Sequence, residues 1–459
     1  MKSVSRILAA ILSLVLLLGC LTGCGNNAAP DAPSVDAPAA DQPEIQETVN
    51  PDGFGGREIK FAVWGFDYDA MTQSEAGRNL LQRLEDLEAK YDCTIKVLSI
   101  PADISFDAIY KAIAAGDSVC DIIDLPQPLT WVAPLKGGYL VDVNQFGLDL
   151  QSDKLDTQIM DMITYGDKVY GIASKDENYF MNQVCYFNKR LVEEAGYNPE
   201  DLYKWQEEGT WTWDKFHEVA TKISQLSTGN QKIWGTVQNN SLLFNNLVVS
   251  NNTDWFKKTE EGITFNASDP NVLQAIDFMQ KLYDDGCFPL ETTQSDAKLF
   301  YSGTVGFLFD YVERVQWPEN QQSMTDDYGM IMIPKGPNAD SYYSMNNYYG
   351  VKAVLKNAPD SEKLAKLVYD FCQPYEDTVD LDVVRESFVR DAESLRVFEL
   401  FEDTTIITPQ ALGSPVREDF QRAIAEQVLT GGDTVMSIIE EMQGTYDNAL
   451  RETWNIPIE

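Results

Sequence analysis

The sequence contains one histidine, His217, among its 459 residues, and its seven cysteines form no C-x-x-C pair. A Ser/His/Asp arrangement would have to use this histidine, which lies beside Phe216 on a predicted helix. The chain has no G-x-S-x-G elbow, no phosphate-binding P-loop and no H-E-x-x-H zinc motif. These absences argue against an enzyme, and we expect neither a metal nor a cofactor.

Basic residues are scarce: 35 Lys and Arg stand against 72 Asp and Glu, which gives a net charge of −37. Nucleic acids and anionic lipid surfaces bind through clusters of Lys and Arg, so both are excluded as partners. The cysteines beyond the N-terminal region are scattered, and we expect them to be small buried hydrophobic residues rather than a disulfide framework.

A long apolar run occurs only near the N-terminus, at residues 7–18, after Lys2 and Arg6. This run suits a signal peptide but is too short to span a bilayer. Residues 21–24 (Leu-Thr-Gly-Cys) resemble a lipobox, so we expect cleavage of residues 1–23 and a diacyl lipid on Cys24. Cys20 is a poorer second match. The alternatives are a secreted protein cleaved elsewhere and an N-terminal anchor helix.

Residues 24–55 would then comprise the lipidated cysteine and a disordered spacer, because they are rich in Ala, Pro, Asp and Gly. About 400 residues follow, which is more than one hydrophobic core usually serves. We therefore expect two domains. The anchor would hold them at the outer face of the cell membrane, and lipid would be their only membrane contact.

Hydrophobic periodicity predicts alternating strands and helices in the first domain. Strands are predicted at 58–64, 93–97 and 122–125, with amphipathic helices between them and a helix end at Gly116. This order is typical of a parallel α/β sheet, in which the ligand crevice lies beyond the carboxyl ends of the strands. Later signals include Thr212 and Asp269 as helix caps.

Several segments resemble, in order, the family 1 extracellular solute-binding proteins of ATP-driven importers. The matching segments are residues 107–123, 166–172, 186–197, 210–216, 300–307 and 328–337. Asp214 departs from the family's more frequent Glu. The resemblance extends from about residue 60 to the C-terminus.

The resemblance implies an α/β fold of two lobes, joined by a hinge and separated by an interlobe cleft that closes on the solute. Lobe 1 would comprise residues 56–165 and 349–408, and lobe 2 residues 166–348 and 409–459. The resemblance also implies delivery of a polar solute, such as a mono- or oligosaccharide, to the permease subunits of an ABC importer. We expect the protein to be a monomer.

Sugars offer hydroxyl groups and an apolar face, so their sites need aromatic rings, carboxylates and amides. Trp64 ends the first strand and Asp67 lies just past it. The alternatives are that Trp64 is a core residue and that Asp67 is an ordinary turn or cap residue. Asp124 is either a ligand acceptor or a cap, and Arg314 either a ligand partner or half of a salt bridge. The predicted ligand-binding residues are Trp64, Asp67, Asp124, Tyr179, Asp310, Tyr311, Asn346 and Tyr348.

Two other functions stay open. Paired carboxylates are plentiful in so acidic a chain, so a secreted glycosidase is one alternative. A sensory lipoprotein that presents its solute to a signalling partner is the other.

Overall fold

The computed structural model describes residues 51–456, apart from 74, 176–180, 239–240, 260–261, 291–295, 317–323, 325, 347–349 and 375–387. The predicted leader, Cys24, the spacer up to residue 50, Tyr179 and Tyr348 therefore lie outside the described residues. The last residues assigned to the disordered spacer are instead attached to the body, because the Phe54 amide donates to the Tyr91 carbonyl at 2.7 Å and Lys363 donates to the Gly53 carbonyl at 2.7 Å. The strands are β1 Arg57–Trp64, β2 Cys93–Ile100, β3 Ile122–Leu125, β4 Thr164–Tyr165, β5 Lys168–Val169, β6 Gln183–Asn188, β7 Phe256–Thr259, β8 Gly262–Phe265, β9 Phe307–Tyr311, β10 Tyr328–Ile331, β11 Ser344–Asn346, β12 Val351–Val354 and β13 Thr405–Ile407.

The α-helices alternate with these strands. They are α1 Tyr68–Gln73, α2 Glu75–Tyr91, α3 Phe106–Ala114, α4 Pro128–Lys136, α5 Thr157–Met162, α6 Lys189–Glu194, α7 Pro199–Glu207, α8 Trp213–Ser224, α9 Leu242–Val249, α10 Pro270–Asp284, α11 Asp296–Tyr301, α12 Ser361–Phe371, α13 Ala392–Thr404, α14 Ser414–Ala423 and α15 Val435–Trp454.

The first sheet has the order β12-β3-β1-β2. Strands β2 and β3 both run parallel to β1, which confirms the predicted parallel arrangement. Strand β12 joins antiparallel to β3, from a segment more than two hundred positions later in the chain. Helix α12 covers this sheet, and its Phe371 ring meets Phe61 of β1 edge-to-face at 5.4 Å.

Caps and turns fix the ends of several helices. The Ser105 hydroxyl accepts a hydrogen bond from the Ala108 amide at the start of α3, and Gly116 follows that helix in the left-handed region at φ 89°. Asp269 caps α10 as predicted. Thr212 precedes α8 as predicted, but its side chain makes no capping hydrogen bond.

The second sheet has the order β10-β6-β9, and both pairings are antiparallel. All six residues of the central strand β6 are buried. Helix α8 packs against this sheet, with the Phe216 ring 5.2 Å from Phe307 and 5.4 Å from Phe309. This side of the chain therefore has an aromatic core of its own.

Short segments connect the two sheets. Strand β11 pairs in parallel with β13. In the chain, β11 comes directly before β12, which belongs to the first sheet. The predicted lobe boundaries place α13 with the first lobe, yet the Ser394 hydroxyl of α13 accepts a hydrogen bond from the Met330 amide of β10. The division into lobes stays a prediction, with α13 in contact with the second sheet.

Other sequence-based expectations concern the side chains. Cys93, Cys120, Cys185, Cys287 and Cys372 are all buried and form no disulfide with one another, as predicted. Among the residues described, no group of three or more His, Cys, Asp or Glu side chains is arranged to hold a metal ion. Within the same ranges, no helix combines the length and the apolar character needed to cross a membrane.

Candidate functional site

Trp64 lies at the carboxyl end of β1 and presents an aromatic surface to solvent. Its side chain is 51% exposed, although a residue of this size is usually mostly buried. One face of its indole stacks on Phe106, with ring centroids 5.8 Å apart and planes only 8° from parallel. The opposite face is therefore the one available to a ligand. Trp64 is therefore not a buried core residue, which was the alternative to a ligand-binding role.

Asp67 follows Trp64 after a tight turn at Gly65, whose φ of 64° lies in the left-handed region that favours glycine. The Asp67 carboxylate accepts a hydrogen bond from the Ala70 amide at 3.1 Å, and its carbonyl accepts one from Met71. The residue is exposed and directly precedes helix α1. It acts as a cap, and any ligand contact would come in addition to that role.

Asp124 lies in β3 and is only 3% exposed. Its carboxylate is 3.7 Å from the ammonium group of Lys352, which lies opposite it on β12 and is equally buried. The charge of Asp124 is therefore balanced within the first sheet. Trp131, just beyond, is fully buried and donates to the Leu125 carbonyl, in agreement with the predicted packing role.

Asp310 and Tyr311 end strand β9. The Asp310 carboxylate is fully buried and accepts hydrogen bonds from Arg314 Nε at 3.1 Å and from the Tyr311 amide at 2.8 Å. The structure thus forms the salt bridge that was the alternative for Arg314. Tyr311 is half-buried, and its ring lies 5.9 Å from the Arg314 guanidinium. Burial raises the pKa of neighbouring Glu313.

Asn346 lies beside Asn182 where the connecting segments meet the second sheet. Its side chain donates to Asn182 Oδ1 at 2.7 Å, and Asn182 in turn donates to the Thr405 hydroxyl at 2.7 Å. The Val312 amide donates to the Asn182 carbonyl, so the end of β9 adjoins this cluster. The structure therefore brings Tyr311 and Asn346 together around Asn182. A cavity of about 210 Å³ borders the two asparagines.

A larger cavity, of about 860 Å³, lies between the segment that precedes α9 and helix α14. Its volume is within the range of small-molecule sites. The chain continues from α14 into a π-helical turn, Ile424–Val428, of a kind often found at functional sites. The polar lining residues are Gln238, Ser241, Arg417, Glu418, Gln421, Arg422, Glu426 and Thr430.

The charges of this lining balance, because Arg417 and Arg422 are matched by Glu418 and Glu426. Such a wall suits a neutral polar ligand better than an ion. Gln238 Nε2 and Arg417 Nε are buried and have no hydrogen-bond partner among the described residues. Buried polar groups are normally paired, and both of these donors belong to residues that line the cavity.

Asp254 is half-buried near Arg417 of the cavity wall, and its Oδ2 atom is buried. Burial raises the pKa of its carboxyl to about 7, although the Phe256 amide and the Arg417 guanidinium both favour the charged form. The carboxylate accepts a hydrogen bond from the Phe256 amide at 3.1 Å. Asp254 and the cavity residues were not predicted from sequence, since none of them lies after a strand.

Comparisons with known proteins identify the family. Residues 72–373, more than half of the chain, match the family described as bacterial extracellular solute-binding protein. The chain belongs to this family. The solute-binding protein is also 26% identical over 200 residues to an arabinooligosaccharide-binding protein of Bacillus subtilis strain 168. That match covers 42% of each chain, which is less than half the length of the curated relative.

Solved structures show that the two-lobed fold is shared. The solute-binding protein has a TM-score of 0.64 and 16% identity to a cyclic alpha-maltosyl-1,6-maltose binding protein from Arthrobacter globiformis, covering 87% of this chain and 100% of that one. It has a TM-score of 0.63 and 16% identity to a sugar transporter from Rhizobium etli in an open conformation, covering 85% and 98%. The predicted fold class is confirmed.

Proposed function

We propose that this solute-binding protein captures a neutral carbohydrate and delivers it to the permease of an ABC importer. The observation that carries this proposal is Trp64, whose indole is fixed by Phe106 on one face and exposed on the other. Such a platform suits the apolar face of a sugar ring. The other predicted ligand residues, Asp67, Asp124, Asp310, Tyr311 and Asn346, stay proposals, as do Tyr179 and Tyr348.

Two further observations support a carbohydrate. The wall of the 860 Å³ cavity carries balanced charges and several amide groups, which match the hydroxyl groups of a neutral sugar. The relative from Bacillus subtilis is named for binding arabino-oligosaccharides, and the structural relative from Arthrobacter globiformis for binding a cyclic maltosyl saccharide. We propose binding by hinge closure, without turnover.

A binding assay tests the carbohydrate proposal. Purified protein beginning at residue 51 would be screened by thermal shift against arabinotriose, maltose, maltotriose, amino acids and dipeptides. We expect a rise in melting temperature with at least one saccharide, because a ligand that binds only the folded state stabilises it. A shift confined to amino acids or dipeptides would overturn the proposal, and chromatography of the mixture would reveal any hydrolysis.

We also propose that Cys24 carries a lipid and that residues 24–50 tether the body outside the membrane. A tether of about thirty residues keeps the body within tens of ångströms of its importer. Cell fractionation of wild type and Cys24→Ala tests this point. Wild type should be membrane-bound and the variant released, while Cys20→Ala serves as the matched control and should remain bound.

A further inference from the structure

Three side chains form a chain of hydrogen bonds that ends at the large cavity. Trp255 Nε1 donates to Asn245 Oδ1 at 3.0 Å, and Gln421 Nε2 donates to the same oxygen. Trp255 is 1% exposed, and Asn245 and Gln421 are each 3% exposed. Gln421 also lines the cavity of about 860 Å³. The three residues come from the loop before β7, from α9 and from α14.

The chemistry of the first residue fixes the orientation of the next two. An indole N–H can only donate, so Asn245 must present its oxygen, not its nitrogen, to Trp255. Gln421 must then present its nitrogen to that oxygen, because two amide oxygens cannot bond to each other. The amide oxygen of Gln421 is then the acceptor that this side chain can offer to a ligand in the cavity. Trp255 therefore determines, through Asn245, that Gln421 presents an acceptor at this part of the cavity wall.

We infer that Trp255 and Asn245 are positioning residues that hold Gln421 as a hydrogen-bond acceptor, and that the solute is read at this point by a hydroxyl donor. The inference rests on the proposed carbohydrate function and adds a specificity rule to it. A saccharide with a hydroxyl at this position binds, and the same saccharide with a group that cannot donate is disfavoured. Phe420 packs edge-to-face on Trp255 at 5.5 Å and supports the arrangement.

The test compares saccharides that differ by one donor. Calorimetry would measure the binding of arabinotriose or maltose, whichever binds wild type, and of its singly deoxyfluorinated derivatives. Fluorine replaces a hydroxyl at similar size but cannot donate. We expect the fluorine at the position read by Gln421 to weaken binding to wild type by about tenfold.

In Trp255→Phe the indole donor is lost, so Asn245 can turn its nitrogen towards Gln421 and Gln421 can present its own nitrogen to the cavity. The tenfold preference at that one position should then disappear, while preferences at other positions remain. A Gln421→Met variant should also lose it. A wild-type preference retained in Trp255→Phe would overturn the inference. A structural role alone would weaken binding to all derivatives alike.

A matched pair at Asn245 covers the case in which Trp255→Phe does not fold. Asn245→Asp can still only accept from Trp255 and Gln421, so it should keep the preference, whereas Asn245→Leu should lose it. Equal preferences in the two variants would overturn the inference. If wild type binds a saccharide but discriminates against none of its derivatives, the inference fails alone. If wild type binds no saccharide, the proposed function fails and the inference with it.

Discussion

Asn346 donates a hydrogen bond from its side chain to Asn182 Oδ1 at 2.7 Å, and both side chains are buried at the junction of the two sheets. The two residues also form an isolated antiparallel bridge through their backbones. Since β11 ends at Asn346 and β6 begins after Asn182, this pair lies where the segments that join the predicted lobes meet the second sheet. We propose that it sets the geometry of the hinge.

Asn346→Leu should reduce the free energy of unfolding by about 1–3 kcal/mol, because the buried Asn182 oxygen loses this donor. Urea denaturation measures the effect. In the double variant Asn182→Leu, Asn346→Leu the loss should be smaller than the sum of the single losses. Each single variant leaves one buried amide without its partner, whereas the double variant removes both amides. Strictly additive losses would contradict a direct interaction.

Trp64→Ala should weaken saccharide binding by roughly two- to tenfold, which corresponds to about 0.5–1.5 kcal/mol for one aromatic contact. The melting temperature of the free protein should change little, because the indole is half exposed. Trp64→Phe should retain most of the affinity. Tyr68→Ala, at a 62% exposed position nearby, is the control for nonspecific effects. Equal affinities of Trp64→Ala and wild type would remove Trp64 from the site.

Lys352→Met should destabilise the protein by about 3–5 kcal/mol, because it leaves the buried Asp124 carboxylate without its counter-charge. Adding Asp124→Leu should recover much of the loss, as measured by chemical denaturation. The pair also tests the predicted ligand role of Asp124. If Asp124→Asn weakened saccharide binding while leaving stability unchanged, Asp124 would be a ligand residue and not a structural one.

Asp254 should make stability depend on pH. Because its pKa is raised from near 4 to about 7, the folded protein binds a proton there more tightly than the unfolded chain does. Its stabilising contribution is greatest below about pH 4 and is lost as the pH rises to about 7. Asp254→Asn should remove this dependence and gain stability relative to wild type between those values, by roughly 4 kcal/mol at most.

Thermal denaturation of wild type and Asp254→Asn at a series of pH values isolates this group, because all other titrating residues are shared. A difference between the two proteins that stays constant from pH 4 to pH 8 would contradict the assignment. Asp277→Asn, at an exposed position of α10, is a suitable comparison.

The five cysteine thiols of the body should be unreactive in the native state. Burial raises the pKa of Cys93 to about 11 and that of Cys120 to about 12, and it raises the pKa of Cys185 and Cys287 as well. A thiol-specific disulfide reagent at pH 8 should label none of them, since thiolate is the reacting form. In guanidinium chloride it should label five. Rapid native labelling would contradict the burial.

Alternation and helical periodicity were sufficient to predict β1, β2 and β3 and their parallel order, because each strand and helix carries its own apolar pattern. The antiparallel strand β12 could not be placed in this way, since its partner β3 lies far away in sequence. Cap chemistry located Asp269 correctly, but at Thr212 the hydroxyl makes no capping bond.

The candidate site was harder to predict. All eight residues of α9 are buried, so the helix shows no amphipathic stripe, and its consecutive asparagines resemble a loop signal. The relation of Asn245 to Gln421, 176 positions later, depends wholly on tertiary packing. By contrast, Trp64 could be proposed from sequence because it ends a strand whose alternation was clear.

Because Trp64 is exposed, its fluorescence should respond to a bound solute. Trp131, Trp211, Trp213, Trp255 and Trp454 are buried, whereas more than half of the Trp64 side chain is open to water. A small quencher such as acrylamide should therefore reach Trp64 well before it reaches those five. A sugar ring laid on the open face of this indole would shield it and shift its emission to shorter wavelength. Capture of a solute could then be followed in unlabelled protein, in real time.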